Sequence, residues 1–524
     1  MRGWSFGAPP FTVISVLLRT ASGSLVYGEY TTAASESSDA GEGRIDVSML
    51  IGGAWVESES GARFDAESPA TGETIGTVPD GTREDARRAI GAANDVWHGW
   101  AALSAFERAA ALERVAALVE ERREVLAHTL TLDQGKPLVA ESYDEVDELA
   151  GYFRQAAAEA TRLDGSMPPS VDASKRVLVY RVPRGVVGVI TPWNWPYTMP
   201  AEVIAPALAA GNAVVWAAAP STSVCAVALA ECISDAGIPP GVLNLVTGPG
   251  AVVGDEIAAS PGTSAIAFIG SIETGRRVAE RAAGKALLLE MGGNGPFVIL
   301  EDADVEAAAR ASLSAAFLCA GQSCTAGERF LVHERVHGEF VESLSAAIAR
   351  EIRLGDPFDE QTTMGPLNNE AAAVKVDRHV ADAVESGAEV LLGGARASGF
   401  PTALYYPATL LSEVRDEMEI AREETFGPVV PITRIGSDEE ALAIANASPY
   451  GLLAAVWTRD LARGLRFAEG VRAGWVNVNE SSNYWESHLP FGGRSGSRSG
   501  IGRVGGRHSL EVFTESKTVV VSLE

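Results

Sequence analysis

Apolar positions along the chain fall into two alternating rhythms. Near the start, 51–56 and 74–78 read as short strands beside glycine turns. Residues 83–93, 106–130 and 140–160 repeat apolar side chains at helical spacing and predict a helical layer. The stretch Leu132-Asp133-Gln134-Gly135-Lys136-Pro137 interrupts that layer as a turn. Residues 185–190 (GVVGVI) form an unbroken apolar run of the kind a buried parallel strand needs. A helix over 201–210, a strand at 213–216, a helix over 223–236 and strands at 242–246 and 265–269 follow. Strand and helix alternate again from 297–300, through a helix over 307–320 that Gly321 ends, to a strand at 330–332. Such alternation predicts doubly wound parallel sheets, one in each half. Two partly alternating segments, 176–184 (RVLVYRVPR) and 517–522 (KTVVVS), read as strands that pair with each other.

The chemistry enters just past Gly321, in Gly321-Gln322-Ser323-Cys324. A cysteine beyond a sharp turn can face a pocket, although a single cysteine is equally a small buried hydrophobe. Two further stretches change that balance. Leu289-Glu290-Met291-Gly292-Gly293-Asn294 carries one carboxylate on an apolar segment before a glycine pair, and Thr191-Pro192-Trp193-Asn194-Trp195-Pro196 carries a side-chain amide. Thiol, carboxylate and amide are the parts of an acyl-thioester mechanism: nucleophile, base for water, and oxyanion donor.

On these three stretches, in this order, the chain resembles the NAD(P)-dependent aldehyde dehydrogenase superfamily from about Met49 to its C-terminus. The resemblance implies an α/β fold of two doubly wound Rossmann-like domains, cofactor and catalytic, plus a small β-strand oligomerisation arm. It divides the chain into a disordered extension over 1–48, a cofactor-binding domain over 49–164 and 185–294, a catalytic domain over 295–490, and oligomerisation strands at 165–184 and 505–524. It implies Cys324 as nucleophile, Glu290 as base and Asn194 as oxyanion donor. It also implies a free acid as product, because acylating relatives typically lack this glutamate.

The cofactor residues follow in the same way. Phe268-Ile269-Gly270-Ser271 is a strand and a turn leading into a helix over 274–283, so helix N-terminal N–H groups can meet a pyrophosphate. The resemblance puts that group at Phe268, Gly270 and Ser271, and the plain alternative is an ordinary turn between strand and helix. Gly248-Pro249-Gly250 with Gly254 is a glycine-rich turn that departs from GxGxxG; Gly250 and Gly254 are cofactor candidates. Glu423-Glu424-Thr425-Phe426-Gly427-Pro428 is similar to the family's EEIFGP, which implies Glu424 on the nicotinamide ribose and Phe426 behind the ring. Thr191, Pro192, Trp193, Trp216 and Gly292 complete the cofactor set. Asn477 matches a residue that shapes the family's substrate site. Pro490-Phe491-Gly492-Gly493 and Ser499-Gly500-Ile501-Gly502-Arg503 match PFGG and SGxGR, with a longer spacer at 494–498. Trp193, Trp195, Tyr197 and Trp485 would line a pocket for aliphatic or aromatic aldehydes, unless they are core.

Two positions depart from the family. Ala217 stands where a lysine reaches the adenosine ribose, and Pro220 where an acid favours NAD. The expected cofactor is therefore NAD or NADP, with a weaker grip or a changed preference between them, one lost charge-assisted hydrogen bond costing ~1.5–3 kcal/mol. Glu202-Val203 stands where relatives carry a lysine in a proton path. An arginine at the neighbouring position marks succinate-semialdehyde enzymes, and here it is Glu202.

Composition narrows the partners. The 524 residues, 46% of them hydrophobic, suffice for two to four domains at ~150 residues each. A net charge of −27 argues against nucleic acid or an anionic membrane. Cys225, Cys232, Cys319 and Cys324 are too few for a disulfide framework, so a cytoplasmic protein is expected. Cys225 and Cys232 share a helix face as core, and Cys319 is structural. The apolar run 11–18 is too short to span a bilayer, and 35–43 has linker composition. The extension is either disordered or follows an upstream start, with Met49 as the working start. His333-Glu334-Arg335-Val336-His337 matches HExxH in letters, but it follows directly on a strand, whereas zinc needs both histidines on one helix face. No metal is expected. The expected partner is a small aldehyde, with a homodimer or homotetramer as the assembly. A cofactor-independent thiol esterase and a catalytically weak scaffold of the same fold are the alternatives, separated by a requirement for NAD(P).

Overall fold

The computed structural model describes residues 44–524 and the backbone of two short strands, Val13–Arg19 and Leu25–Thr31. The expected disordered extension over 1–48 lies mainly outside the described residues. Its final stretch is a correction: Ile45–Asp46 is a strand, parallel to Thr74–Pro79. A Cβ on Gly76 would sit 1.8 Å from the Ile45 oxygen, so only glycine permits that approach.

The helical layer forms with its own start signals. Thr82 and Asp85 make a capping box for Arg83–Ala102, as Ser104 and Glu107 do for Ala105–Glu121. The helix expected over 106–130 is two helices. The break falls at Arg122 (φ −97°, ψ 14°), and Arg123–Gln134 resumes in phase. Hydrophobic periodicity cannot register a break that keeps the same face inward. Arg122 bonds Asp235 at 2.6 Å across the gap. Gly135 (φ 95°) ends the second helix, and a π-helical turn, Leu138–Ser142, leads into Tyr143–Ala160.

The first sheet has eight strands. From one edge they are Gly500–Ile501, Ala286–Met291, Ala265–Gly270, Val186–Ile190, Ala213–Ala217, Leu243–Val246, Met49–Ile51 and Ala54–Val56. The five from Ala286–Met291 to Leu243–Val246 are parallel and nearly all buried, which explains their unbroken apolar runs. From Val186–Ile190 the chain winds outward to Leu243–Val246, then returns to Ala265–Gly270 on the other side. That reversal is a topological switch point. Ligands of open α/β sheets bind beyond the carboxyl ends of such strands, here after Ile190 and after Gly270.

The second sheet has seven strands, in the order Glu389–Leu392, Thr409–Ser412, Val429–Ile435, Gly327–His333, Gly295–Ile299, Leu453–Trp457 and Trp475–Val478. All neighbours are parallel except the first pair. Separate buried clusters fill the two halves. Lys175–Pro183 and Thr514–Ser522 pair antiparallel from Lys175↔Ser522 to Pro183↔Thr514, so the two alternating segments meet as expected. Tyr180, Val520 and Val521 on this ribbon are exposed.

Candidate active site

Cys324 is presented by an unusual turn. The helix expected over 307–320 is shorter, Val305–Phe317, capped by Asp304. The chain leaves it before Gly321, because Cys319 and Ala320 adopt left-handed conformations (φ 53° and 52°). Such residues cost roughly 1–3 kcal/mol each and need outside support. Glu141 supplies it, both carboxylate oxygens accepting the Cys319 N–H at 3.0 and 3.1 Å. Gly321 has its own constraint, since a Cβ there would lie 2.2 Å from the Gly427 oxygen. The Gln322 side chain donates to the Cys319 oxygen and accepts the Asn368 N–H, both at 2.9 Å. Cys324 emerges from this braced loop half-buried, while Cys225, Cys232 and Cys319 are buried.

Asn194 reaches the same loop. Its Nδ2 donates to the Gln322 oxygen at 3.0 Å. Glu290 sits on Ala286–Met291 under a strap: Gly500 pairs with it in register, and the Met291 N–H bonds the Ser499 oxygen at 3.1 Å. The Ser499 hydroxyl donates to the Gly292 oxygen at 2.9 Å. The extra residues of the 494–498 spacer close a turn, the Ser497 N–H bonding the Arg494 oxygen at 3.0 Å. Both Glu290 oxygens are buried without a partner among the described residues, and a Cβ on Gly492 would lie 2.6 Å from Oε1. Burial pushes the Glu290 carboxyl well above its ordinary range; Glu202 adds to this and Arg503 opposes it. Burial also pushes the Cys324 thiol up, reinforced by Glu424, Glu290 and Glu202.

These groups line one cavity of about 390 Å³. Of the residues proposed from sequence, Cys324, Glu290 and Asn194 face it, with Pro192, Trp193, Gly270, Ser271, Gly292, Glu424 and Phe426. Ser271 caps helix Ile272–Arg281, accepting the Thr274 N–H, directly after the switch-point strand. The Glu424 carboxylate accepts the Gly293 N–H at 2.9 Å, and a Cβ on Gly292 would come within 2.4 Å of it. Phe426 is left-handed (φ 60°) and meets Trp193 edge-on at 5.7 Å. Glu328 holds it there by accepting the Thr425 and Phe426 N–H groups, the latter at 2.8 Å.

Five proposed cofactor residues do not line the cavity. Trp216 is wholly buried and spends its indole N–H on the Thr191 hydroxyl at 2.8 Å, so the pair braces the floor from below. Phe268 is buried, its ring against Gly270 and Gly275. Gly254 backs onto Ile190, and Gly250 has open space around it. Ala217 is buried in its strand, its oxygen accepting the Thr191 N–H.

Among the expected pocket aromatics, Trp193, Trp195 and Trp485 line the cavity. Tyr197 does not: it is fully buried and donates its hydroxyl to the Leu126 oxygen at 3.1 Å. Asn477 is buried, and its amide donates to the Ser481 and Tyr484 oxygens at 2.7 and 3.0 Å, fixing the loop that carries Trp485. The sequence reading missed Glu148, Tyr152, Met199, Lys375 and Asn483 as lining residues, and it saw Glu202 only as a departure. Tyr152 and Met199 repeat at ordinary helical spacing, so nothing marked them as cavity-facing. Val203 is buried core. The HExxH letters are split: His333 ends strand Gly327–His333 and bonds the Gly436 oxygen, while His337 begins helix His337–Glu351 beside Ser412.

Comparison with known proteins agrees with this geometry. Residues 55–519 match the aldehyde dehydrogenase family. The chain is 38% identical to the succinate-semialdehyde dehydrogenase [NADP(+)] of Escherichia coli (strain K12), over 90% of this chain and 97% of that one. Two crystal structures superpose with a TM-score of 0.88. One is succinate-semialdehyde dehydrogenase from Burkholderia pseudomallei (39% identity, 91% of this chain and 98% of that one). The other is NAD-dependent aldehyde dehydrogenase from Sinorhizobium meliloti (37%, 92% and 95%).

Proposed function

The chain belongs to the aldehyde dehydrogenase family, and from that premise we propose which of its residues carry the oxidation of an aldehyde to a carboxylic acid with NAD or NADP. The observation that supports the assignment is convergence. The Asn194 amide is bonded to the Cys324 loop, and the Glu290 and Glu424 carboxylates act on the Cys324 thiol within one cavity.

The cavity suits the nicotinamide and pyrophosphate end of a dinucleotide. Its far end is a helix N-terminus at Ser271, beyond the switch point. At the near end, Gly292 leaves the room that Glu424 occupies beside the Gly293 N–H. Pro192, Trp193, Gly270, Ser271, Gly292, Glu424 and Phe426 would hold the cofactor, with Thr191, Trp216 and Phe268 bracing them. NAD(P)⁺ bound there supplies the hydride acceptor.

The protein's own steps follow from its groups. Cys324, as thiolate, adds to the aldehyde carbon. Asn194 has two amide hydrogens and gives one to Gln322, which leaves the other, with the Cys324 N–H, for the oxyanion. Loss of hydride leaves a thioester on Cys324. Glu290, once ionised, takes a proton from water; the hydroxide releases the acid and regenerates the thiolate. Burial raises the pKa of both Cys324 and Glu290, so turnover climbs as pH rises and each ionises.

We assign cofactor binding to 49–164 and 185–294, catalysis to 295–490, and subunit association to the ribbon at 165–184 and 505–524. Its exposed Tyr180, Val520 and Val521 suit a homodimer or homotetramer. Four free cysteines suit a reducing cytoplasm, and no described helix is long and apolar enough to cross a membrane.

The test is aldehyde-dependent reduction of NAD⁺ and, separately, of NADP⁺, with Cys324→Ala as control. The expected loss in the variant is ~10⁴-fold or more. Turnover that survives Cys324→Ala would remove the nucleophile assignment.

A further inference from the structure

One end of the cavity is acidic and aromatic. Glu202, on helix Thr198–Ala209, lines it while only 6% exposed, and its Oε1 has no hydrogen-bond partner among the described residues. Glu148, on Tyr143–Ala160, lines the same cavity, and its charge raises the Glu202 pKa; Glu202 in turn raises that of Glu290. Burial pushes Glu202 up to about 8; Glu148 has an exposed side chain, and the protein around it pushes it up to about 7.

No basic side chain of the lining answers these carboxylates. Lys375 is the basic residue among the lining residues, and its charge acts on Glu424. Outside the lining, Lys136 bonds Glu145 at 2.6 Å and its charge also reaches Glu148, while Arg503 bonds the Gly493 and Gly502 oxygens and its charge reaches Glu290; neither acts on Glu202. The walls are Tyr152, Trp195 and Trp485; the Lys136 ammonium already sits 3.1 Å over the Trp195 ring, which leaves Tyr152 and Trp485, ring centroids 6.0 Å apart, as the pair open to a second cation. Aromatic faces attract cations and are neutral toward alkyl chains.

We propose that Glu202 selects aldehydes whose far end is a cationic amine, primary or quaternary, over aldehydes that end in a carboxylate. The inference rests on the aldehyde-oxidising reading of this cavity. A cation entering beside Glu202 restores its charged form and gives it the partner it lacks among the described residues, with Glu148 adding a second negative charge nearby. A carboxylate tail meets like charge without compensation, which costs it affinity in a buried site. The selection is for charge at the tail, not for chain length, because the aromatic walls accept any slender aliphatic segment.

The test compares 3-aminopropanal and trimethylammonioacetaldehyde with neutral butanal and with succinic semialdehyde, each with NAD⁺ and NADP⁺. The cationic aldehydes should exceed butanal in kcat/KM by about ten-fold or more, the size of one charge-assisted contact, and succinic semialdehyde should be slowest. Glu202→Gln, close in shape, should bring the ratio of cationic to neutral aldehyde towards one. Choline gives a second reading without turnover: it should quench tryptophan fluorescence saturably, and 1-butanol should not. If Glu202→Gln does not fold, choline binding to the unaltered protein still decides, and its absence overturns the proposal. So does a preference for succinic semialdehyde, which would mean that Glu202 stays protonated and donates to the anion. A cationic preference that survives Glu202→Gln overturns it as well. Failure on every aldehyde, butanal included, would instead overturn the aldehyde-oxidising reading on which this one stands.

Discussion

The two sheets are wound alike but meet the cavity with opposite edges. The first offers the carboxyl ends of its strands: Ile190 leads to Pro192 and Asn194, Gly270 to Ser271, and Met291 to Gly292. The second offers its amino ends. Cys324 precedes Gly327–His333, Glu424 and Phe426 precede Val429–Ile435, and Leu452 precedes Leu453–Trp457. The first edge is the one where doubly wound sheets bind ligands. It works largely by backbone, through a helix N-terminus and glycines that admit close approach. The second edge has no such ready-made site, and its side chains are held by buried carboxylates instead: Glu141 under Cys319, Glu328 under Phe426. Similar winding therefore does not decide which edge carries chemistry. The bracing beneath each loop does.

The largest expected effect separates the two edges in time. Glu290, on the first sheet, is proposed to act only after the thioester forms on the second. Glu290→Gln should cut steady-state turnover by ~10²–10⁴-fold, while a first burst of reduced cofactor survives in stopped-flow absorbance. Loss of the burst as well would place Glu290 in the earlier step and break the division of labour. A smaller effect tests the seam between the sheets. Gly292→Ala sets a Cβ where the Glu424 carboxylate now lies, and displacing Glu424 by about 1 Å should cost up to ~10²-fold in kcat/KM for the cofactor. Gly292 is buried, so the thermal melting midpoint should fall as well, and the cofactor effect is read on variant protein shown to be folded by circular dichroism. The smallest effect belongs to the second sheet alone. Asn477→Ala removes the amide that ties Ser481 and Tyr484. It should raise KM for the aldehyde about ten-fold, as expected for lost neutral hydrogen bonds, and leave cofactor affinity unchanged by calorimetry. A change in cofactor affinity would mean that the loop serves both ends.

Much of this was legible in the residues. Parallel strands buried on both faces must be apolar throughout, so 185–190 and 265–269 announced the first sheet. The stretches around Asn194, Glu290 and Cys324 marked the cavity, which all three line, because a thiol, a carboxylate and an amide in glycine-rich surroundings are costly to place without use. Less was legible where a residue's neighbours come from far along the chain. Cys319 and Ala320 looked like the last turn of a helix; Glu141, on another element, holds them left-handed. Trp216 and Phe268 looked like cofactor contacts, yet both turn into the core. Tyr197, beside Trp195, spends its hydroxyl on Leu126.

The sequence by itself determined the alternation of strands and helices, the two wound halves, the pairing of the terminal ribbon and the three groups proposed to react, because each depends on local periodicity or on side-chain chemistry. Tertiary structure alone decided which edge of each sheet faces the cavity, which aromatics line it, and that Glu202 Oε1 stands in it without a partner among the described residues. Burial and the partners of a charge are properties of what surrounds a residue in space. A glutamate at one position of an apolar helix reads the same in sequence whether it meets a lysine, solvent or an empty pocket.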